Sequence, residues 1–322
     1  MAYCAEAWES LRGDPLPWLL DSNRPHLHWR VLVDLVRRPP DSPAVTRARG
    51  GANAAEPIAS LLRDLHPDGT WTGDASLWKA YSGSAWRDVT AVQWGADPTD
   101  PRLQAAAEVL LESSTGEGGF SPSKGGRAVP RMTARLLCAL GELGWCRHPR
   151  FQEALAWFEE GDLQHDAGGW RATSRGLENE ECAVTAVSLL RVLTACGDHR
   201  RHALRDRAVG SLIRIVGAAG RAPSPLGHPC LGRTDDAEIV STLARALVPF
   251  DPKIVGAVSH LQRRQLEGGR WRRGIPVPKS LPTAVDGDLG DPSRWVTLKC
   301  VVALMAYAVE AGLPRMYPQK PS

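Results

Sequence analysis

The feature that most constrains this chain is a short turn that recurs four times. It reads Asp68-Gly69-Thr70-Trp71, Gly118-Gly119-Phe120, Gly168-Gly169-Trp170 and Gly268-Gly269-Arg270-Trp271. Each copy follows an apolar-periodic stretch, at 58–65, 103–111, 155–158 and 254–261. Glycine just past a helix supplies the left-handed residue that ends it. The aromatic that follows is placed to tuck against the next unit. A second apolar helix begins after each turn and after a degenerate fifth one near 217–220, with starts near Trp86, Met132, Glu181, Asp236 and Arg294. An earlier stretch, 27–36, makes six. Successive starts lie roughly 45–60 residues apart, the length of a long helical hairpin with its loop.

These second helices are apolar on most faces, as in Cys182-Ala183-Val184-Thr185-Ala186-Val187-Ser188-Leu189-Leu190. Such helices are buried on all sides. Their partners, such as 204–215 with Arg205, Arg207 and Arg214, carry a charged face. The alternation predicts an all-α chain: one α/α6 toroid of two concentric rings of six helices, spanning 1–322 with its core at about 15–312. Of the aromatics, 12 are Trp against 4 Phe and 4 Tyr, so Trp is expected to have positional roles.

Charge and composition exclude several classes. Lys and Arg number 39 against 36 Asp and Glu, interspersed and summing to +3, which argues against a nucleic-acid surface. No apolar run reaches the ~18 residues of a membrane span. The start Met1-Ala2-Tyr3-Cys4 lacks a basic region followed by an apolar one, so a cytoplasmic protein is expected. Seven cysteines, an odd count without a CxxC pair, read as reduced thiols.

The glycine–aromatic turns, each followed by a buried helix, resemble those of terpenoid cyclases and protein prenyltransferase β subunits. That resemblance implies the same toroid around a deep apolar cavity. It also places ligand-facing residues at the starts of the inner helices. Those positions here are His26, His28 and Trp29; Trp86, Arg87 and Asp88; Arg131 and Thr133; Glu178, Glu180 and Glu181; Arg233, Asp235 and Asp236; and Arg294 and Trp295. Acidic and polar residues there are equally what helix caps require.

Gly232-Arg233-Thr234-Asp235-Asp236 is similar to the DxDD motif of class II terpene cyclases, whose middle Asp is the acid that protonates an alkene or epoxide. By position, Asp235 is the expected acid and Asp236 its neighbour. Trp29, Trp78, Trp86 and Trp295 are candidates to stabilise a carbocation, and Arg87, Asp88 and Glu181 to line the same rim. Arg233 stands where the family has its first Asp, and a guanidinium beside Asp235 would favour its ionised form.

The prenyltransferase zinc pattern, an Asp-x-Cys pair and a later His, is missing. The fifth helix offers Asp236-Ala237-Glu238, and the sixth offers Arg294 and Trp295. His228 and Cys230 supply too few ligands for a zinc site, so neither metal nor other cofactor is expected. The stretch 274–293, with four Pro, is long enough to cover a cavity. The leading expectation is acid-assisted cyclisation or rearrangement of a hydrophobic, isoprenoid-like or polycyclic small molecule. The alternatives are a toroid that binds a lipid or peptide without catalysis, favoured by Arg233, and a metal-dependent prenyltransferase-like enzyme.

Overall fold

The computed structural model describes residues 5–21, 23–71, 83–122, 126–159, 166, 168–171, 181–198, 200–279, 281 and 286–316. Within them the chain forms helices joined by turns, with three isolated β-bridges and no strand. The helices are α1 (Ala5–Glu9), α2 (Leu16–Leu19), α3 (Pro25–Asp34), α4 (Pro43–Gly50), α5 (Ile58–Leu62), α6 (Ser84–Gln93) and α7 (Pro101–Glu112). They continue with α8 (Pro130–Glu142), α9 (Pro149–Trp157), α10 (Ala183–Ala195), α11 (His202–Val216), α12 (Asp236–Arg245), α13 (Val255–Arg263) and α14 (Arg294–Tyr307). Pro25, Pro43, Pro101, Pro130 and Pro149 each open a helix, where the missing N–H costs nothing.

The recurring turns set the architecture. In three of them a residue donates its N–H to the carbonyl four residues on: His66 to Thr70, Thr115 to Gly119 and Leu266 to Arg270, each at 2.8 Å. The fourth residue of each turn is Gly69, Gly118 or Gly269, all at positive φ. Gly168, also at positive φ, holds the corresponding place in the remaining copy. Two residues later comes the aromatic, Trp71, Phe120, Trp170 or Trp271, and all four are buried.

The aromatic's backbone then fixes the next inner helix. The carbonyls of Phe120, Trp170 and Trp271 accept from Val129, Cys182 and Ser293, the residues immediately preceding α8, α10 and α14. The N–H groups of Phe120 and Trp271 donate to Thr133 Oγ1 and Thr297 Oγ1 in the first turns of α8 and α14. Satisfying these buried backbone groups holds each outer-to-inner connection in register.

Each turn also packs on the next outer helix, and this closes the ring. A Cβ on Gly69 would lie 2.4 Å from the backbone of Ala105 in α7. One on Gly269, at the far end of the chain, would lie 2.3 Å from the carbonyl of Gly13. The N-terminal segment therefore stands where a further outer helix would be. Gln262 reinforces the closure by donating to the carbonyls of both Ser10 and Pro314.

Helices α3, α6, α8, α10, α12 and α14 form the inner layer. Inner neighbours pack in chain order from α6 to α14, and α14 packs on α3. Trp29 Nε1 donates to the carbonyl of Gly95, just past α6, at 2.7 Å and joins the two ends. The outer layer is less regular than a ring of six, because α4 and α5 both lie between α3 and α6 and short α1 and α2 precede α3. One apolar cluster runs continuously from Ala7 to Ala308.

One expectation is corrected. Cys146 and Cys196 are joined in a disulfide, while Cys138, Cys182, Cys230 and Cys300 are buried free thiols. The bond links the segments just beyond α8 and α10, two inner helices whose packing brings their ends together. No described helix is long and apolar enough to cross a membrane.

Candidate functional site: a charged lumen behind a plug

The centre of the ring is polar, against the expectation of a Trp-lined apolar cavity. The repeat fails at its fifth copy, and the chain there takes a different course. Residues 226–231 enter the lumen, with Leu226, Cys230 and Leu231 buried. Gln93, at the end of α6, grips this plug by its backbone: its amide donates to the Cys230 carbonyl at 3.0 Å and accepts from the Cys230 N–H at 2.7 Å. His228 Nε2 donates to the Gln93 carbonyl at 2.9 Å, and its ring stacks on Trp295 with centroids 4.6 Å apart. From behind, Gly274 donates to the Leu226 carbonyl, so the start of the 274–293 stretch lies on the plug.

Asp235 ends the plug and caps α12. It is fully buried, accepting from Glu238 N at 2.7 Å and Gly227 N at 2.8 Å. Lys299 of α14 lies 3.2 Å away and also donates to the Gly227 carbonyl at 2.7 Å. Burial pushes the Asp235 carboxyl up and Lys299 pulls it down, with burial prevailing. The cation beside Asp235 is thus Lys299. Arg233, expected to fill that role, is exposed, and its backbone carbonyl accepts from Arg135. Asp236 turns away and pairs with Arg221 at 2.6 Å.

The other expected residues fall in several places. Trp295 lines the lumen. Trp29 packs with Val45 and Ala52 on the outer side of α3, and Trp86 packs against the main core. Glu181 is held by both the Nε and the terminal nitrogen of Arg214 on α11. Arg87 lies over the Trp71 ring at 5.3 Å. Asp88 is buried beside the Trp71 indole, and burial pushes its carboxyl up to about 8 while Trp71 and Arg87 pull it down. Trp78, Glu178 and Glu180 lie outside the described residues.

Beyond the plug the lumen holds a chain of alternating charges. Arg245 pairs with Asp34 at 3.0 Å, and Asp34 with Arg30 at 3.4 Å. Arg30 pairs with Glu142 at 3.0 Å, and Glu142 with Arg191 at 2.5 Å. Arg191 approaches Glu238 at 3.6 Å, and Glu238 pairs with Arg135 at 3.0 Å. Arg135, Lys299 and Arg191 hold Glu238 down at about 2 despite its burial. The same arrangement keeps Asp34 and Glu142 below the usual carboxylate range. A cavity of about 30 Å³ lies among Arg30, Asp34, Arg191, Arg245, Glu238 and Lys299, walled on one side by His228, Cys230 and Trp295.

These residues carried a signal in the sequence that the repeat obscured. Arg135, Arg191 and Lys299 are single charges inside otherwise apolar stretches of α8, α10 and α14. Arg30 and Asp34 are four apart, while Arg135 and Glu142, like Glu238 and Arg245, are seven apart. Both spacings return to one helix face.

No protein-family model matches this chain, and no curated protein matches it in sequence. Solved structures do. A polysaccharide lyase superposes with a TM-score of 0.51 at 14% identity, covering 91% of this chain and 90% of that one. The type II terpene cyclase MstE from Scytonema gives 0.46 at 16% identity, over 91% and 88%. A glycosyl hydrolase family 88 protein from Bacteroides vulgatus gives 0.49 at 10% identity, over 90% and 91%. At these identities the likeness is one of fold, and the chain is an α/α toroid.

Proposed function

We infer that this is a binding toroid that holds a small polar ligand in its lumen, and that Asp235 is a structural counter-charge there. The observation that carries this is the environment of Asp235. A cyclase acid must be protonated and open to an alkene. Asp235 instead spends its oxygens on Lys299, Gly227 and Glu238 and has no exposed surface. The hollow beside it is lined by charged side chains, which suit a polar guest and not a carbocation. Incubation with isoprenoid diphosphates and prenylated aromatics, followed by mass spectrometry, should give no cyclised product. Formation of such a product, lost in Asp235→Asn, would overturn this reading. A thermal-shift screen of small polar molecules should find one whose stabilisation is lost in Glu238→Gln.

One observation favours a second reading, in which the protein acts on a hydrophobic substrate by acid assistance. Asp88 is buried in α6, and burial pushes its carboxyl up to about 8, toward the neutral form. A buried neutral carboxyl is the form such chemistry uses. Under this reading Asp88→Asn abolishes turnover, and Asp235→Asn acts only through stability.

A further inference from the structure

The charge chain in the lumen does not balance. It runs Arg245, Asp34, Arg30, Glu142, Arg191, Glu238, Arg135, so it begins and ends on arginine. Lys299 and Asp235 cancel as a pair. His228 and Cys230 remain neutral, since burial lowers the imidazole well below its usual value and raises the thiol. Among the described lumen residues, one positive charge is therefore left over. A largely buried charge that must share its counter-ion is under-compensated, so a guanidinium of this kind facing a cavity favours an anion there.

The excess sits at the Arg245 end. Arg135, at the other end, is satisfied, donating to Glu238 and to the carbonyls of Leu231 and Arg233. Arg245 donates to Asp34 through one terminal nitrogen, while its Nε has no hydrogen-bond partner among the described residues and the side chain, 19% exposed, lines the cavity. Burial, with Arg30 and Arg191 nearby, holds Arg245 below the usual guanidinium range, whereas Arg30, Arg135 and Arg191 lie above it.

The size of the cavity narrows the choice of anion. One water needs about 10–15 Å³ of such volume, so about 30 Å³ seats roughly two oxygen-sized groups. A carboxylate has two oxygens and one negative charge, and it matches the planar guanidinium fork. A tetrahedral phosphate is larger and more highly charged than the excess requires. We propose that the lumen of this toroid binds the carboxylate group of a small organic acid, held by Arg245 with Arg30 and Arg191. This rests on the reading of the lumen as a ligand site and names the chemical class of its ligand.

The test is calorimetric titration and thermal shift of the full chain at pH 7. Sodium formate and acetate serve as probes, acetamide as the neutral isostere, and sodium chloride keeps ionic strength constant. At ten times its Kd, acetate should raise the midpoint by about 2 °C, and acetamide should not. Arg245→Lys keeps the charge and loses the fork, and should weaken acetate at least tenfold. Asp34→Asn removes the competing carboxylate and should tighten it. Acetate binding that neither substitution changes would overturn the assignment. So would the lack of any carboxylate response; if a neutral polar molecule still stabilised the protein, the lumen would remain a ligand site and only the carboxylate class would fall.

Discussion

Lys299 Nζ lies 3.2 Å from Asp235 Oδ2 and 2.7 Å from the carbonyl of Gly227. A single ammonium thus joins α14, the start of α12 and the plug that enters the lumen. Burial would lower a lysine's pKa, yet the carboxylates of Asp235 and Glu238 hold this one above its usual value. The ammonium therefore stands as the cation opposite Asp235, and the central loop is organised around it.

The recurring turns should be separable in stability from the lumen. Thr297→Val removes the acceptor for the Trp271 N–H while keeping volume and branching. Leaving a buried donor unsatisfied costs about 1–3 kcal/mol. Urea denaturation should show that loss, with lumen binding intact in the folded fraction.

The disulfide makes stability redox-dependent. Cys146 and Cys196 are 50 residues apart, and a native bond of this kind contributes about 2–4 kcal/mol. The Cys146→Ser and Cys196→Ser double variant should lose that stability and be insensitive to dithiothreitol. A wild-type midpoint unaffected by reductant would show that the bond contributes nothing.

The repeat made the fold legible because each copy places the same three parts: a glycine at positive φ, a buried aromatic and a following inner helix. The site was less legible. Pairing Arg233 with Asp235 assumed that sequence neighbours face each other, but Asp235 is in extended backbone before α12. From there it reaches Lys299, 64 positions away. The lumen charges come from five inner helices, so only ring closure brings them together. Residues 226–231 carried no positive sign beyond following the degenerate turn near 217–220.

His26 and Glu238 should each contribute stability that is lost toward acid, in different pH windows. Burial, aided by Arg24, lowers His26 to about 4 from 6.5. A folded pKa below the unfolded one means that stability is lost as pH falls from 6.5 to 4, here by up to about 3 kcal/mol. Glu238, held at about 2 against 4.5, contributes stability that is present above pH 4.5 and lost toward pH 2. Buried carboxyls such as Asp88 titrate with the opposite sign, so each contribution is read as a difference from wild type. Relative to wild type, His26→Gln should gain stability as pH falls from 6.5 to 4 and change little below that.

Asp88 has the opposite sign. Its folded value of about 8 exceeds the usual 3.8, so its contribution is most favourable at low pH and is lost as pH rises through 8. Asp88→Asn should therefore raise the midpoint more at pH 8 than at pH 5. Equal changes at both would mean that the carboxyl is ionised in the fold.

The most direct test of the account is a double-mutant cycle on Asp235 and Lys299, read by urea denaturation. Removing one partner of a buried pair leaves the other charge uncompensated, at a cost of about 3–5 kcal/mol. Asp235→Asn and Lys299→Met should each cost that much, and the double variant clearly less than their sum. If Asp235→Asn leaves stability unchanged and the two effects simply add, Asp235 is not the counter-charge of Lys299, and its role as a free acid is restored.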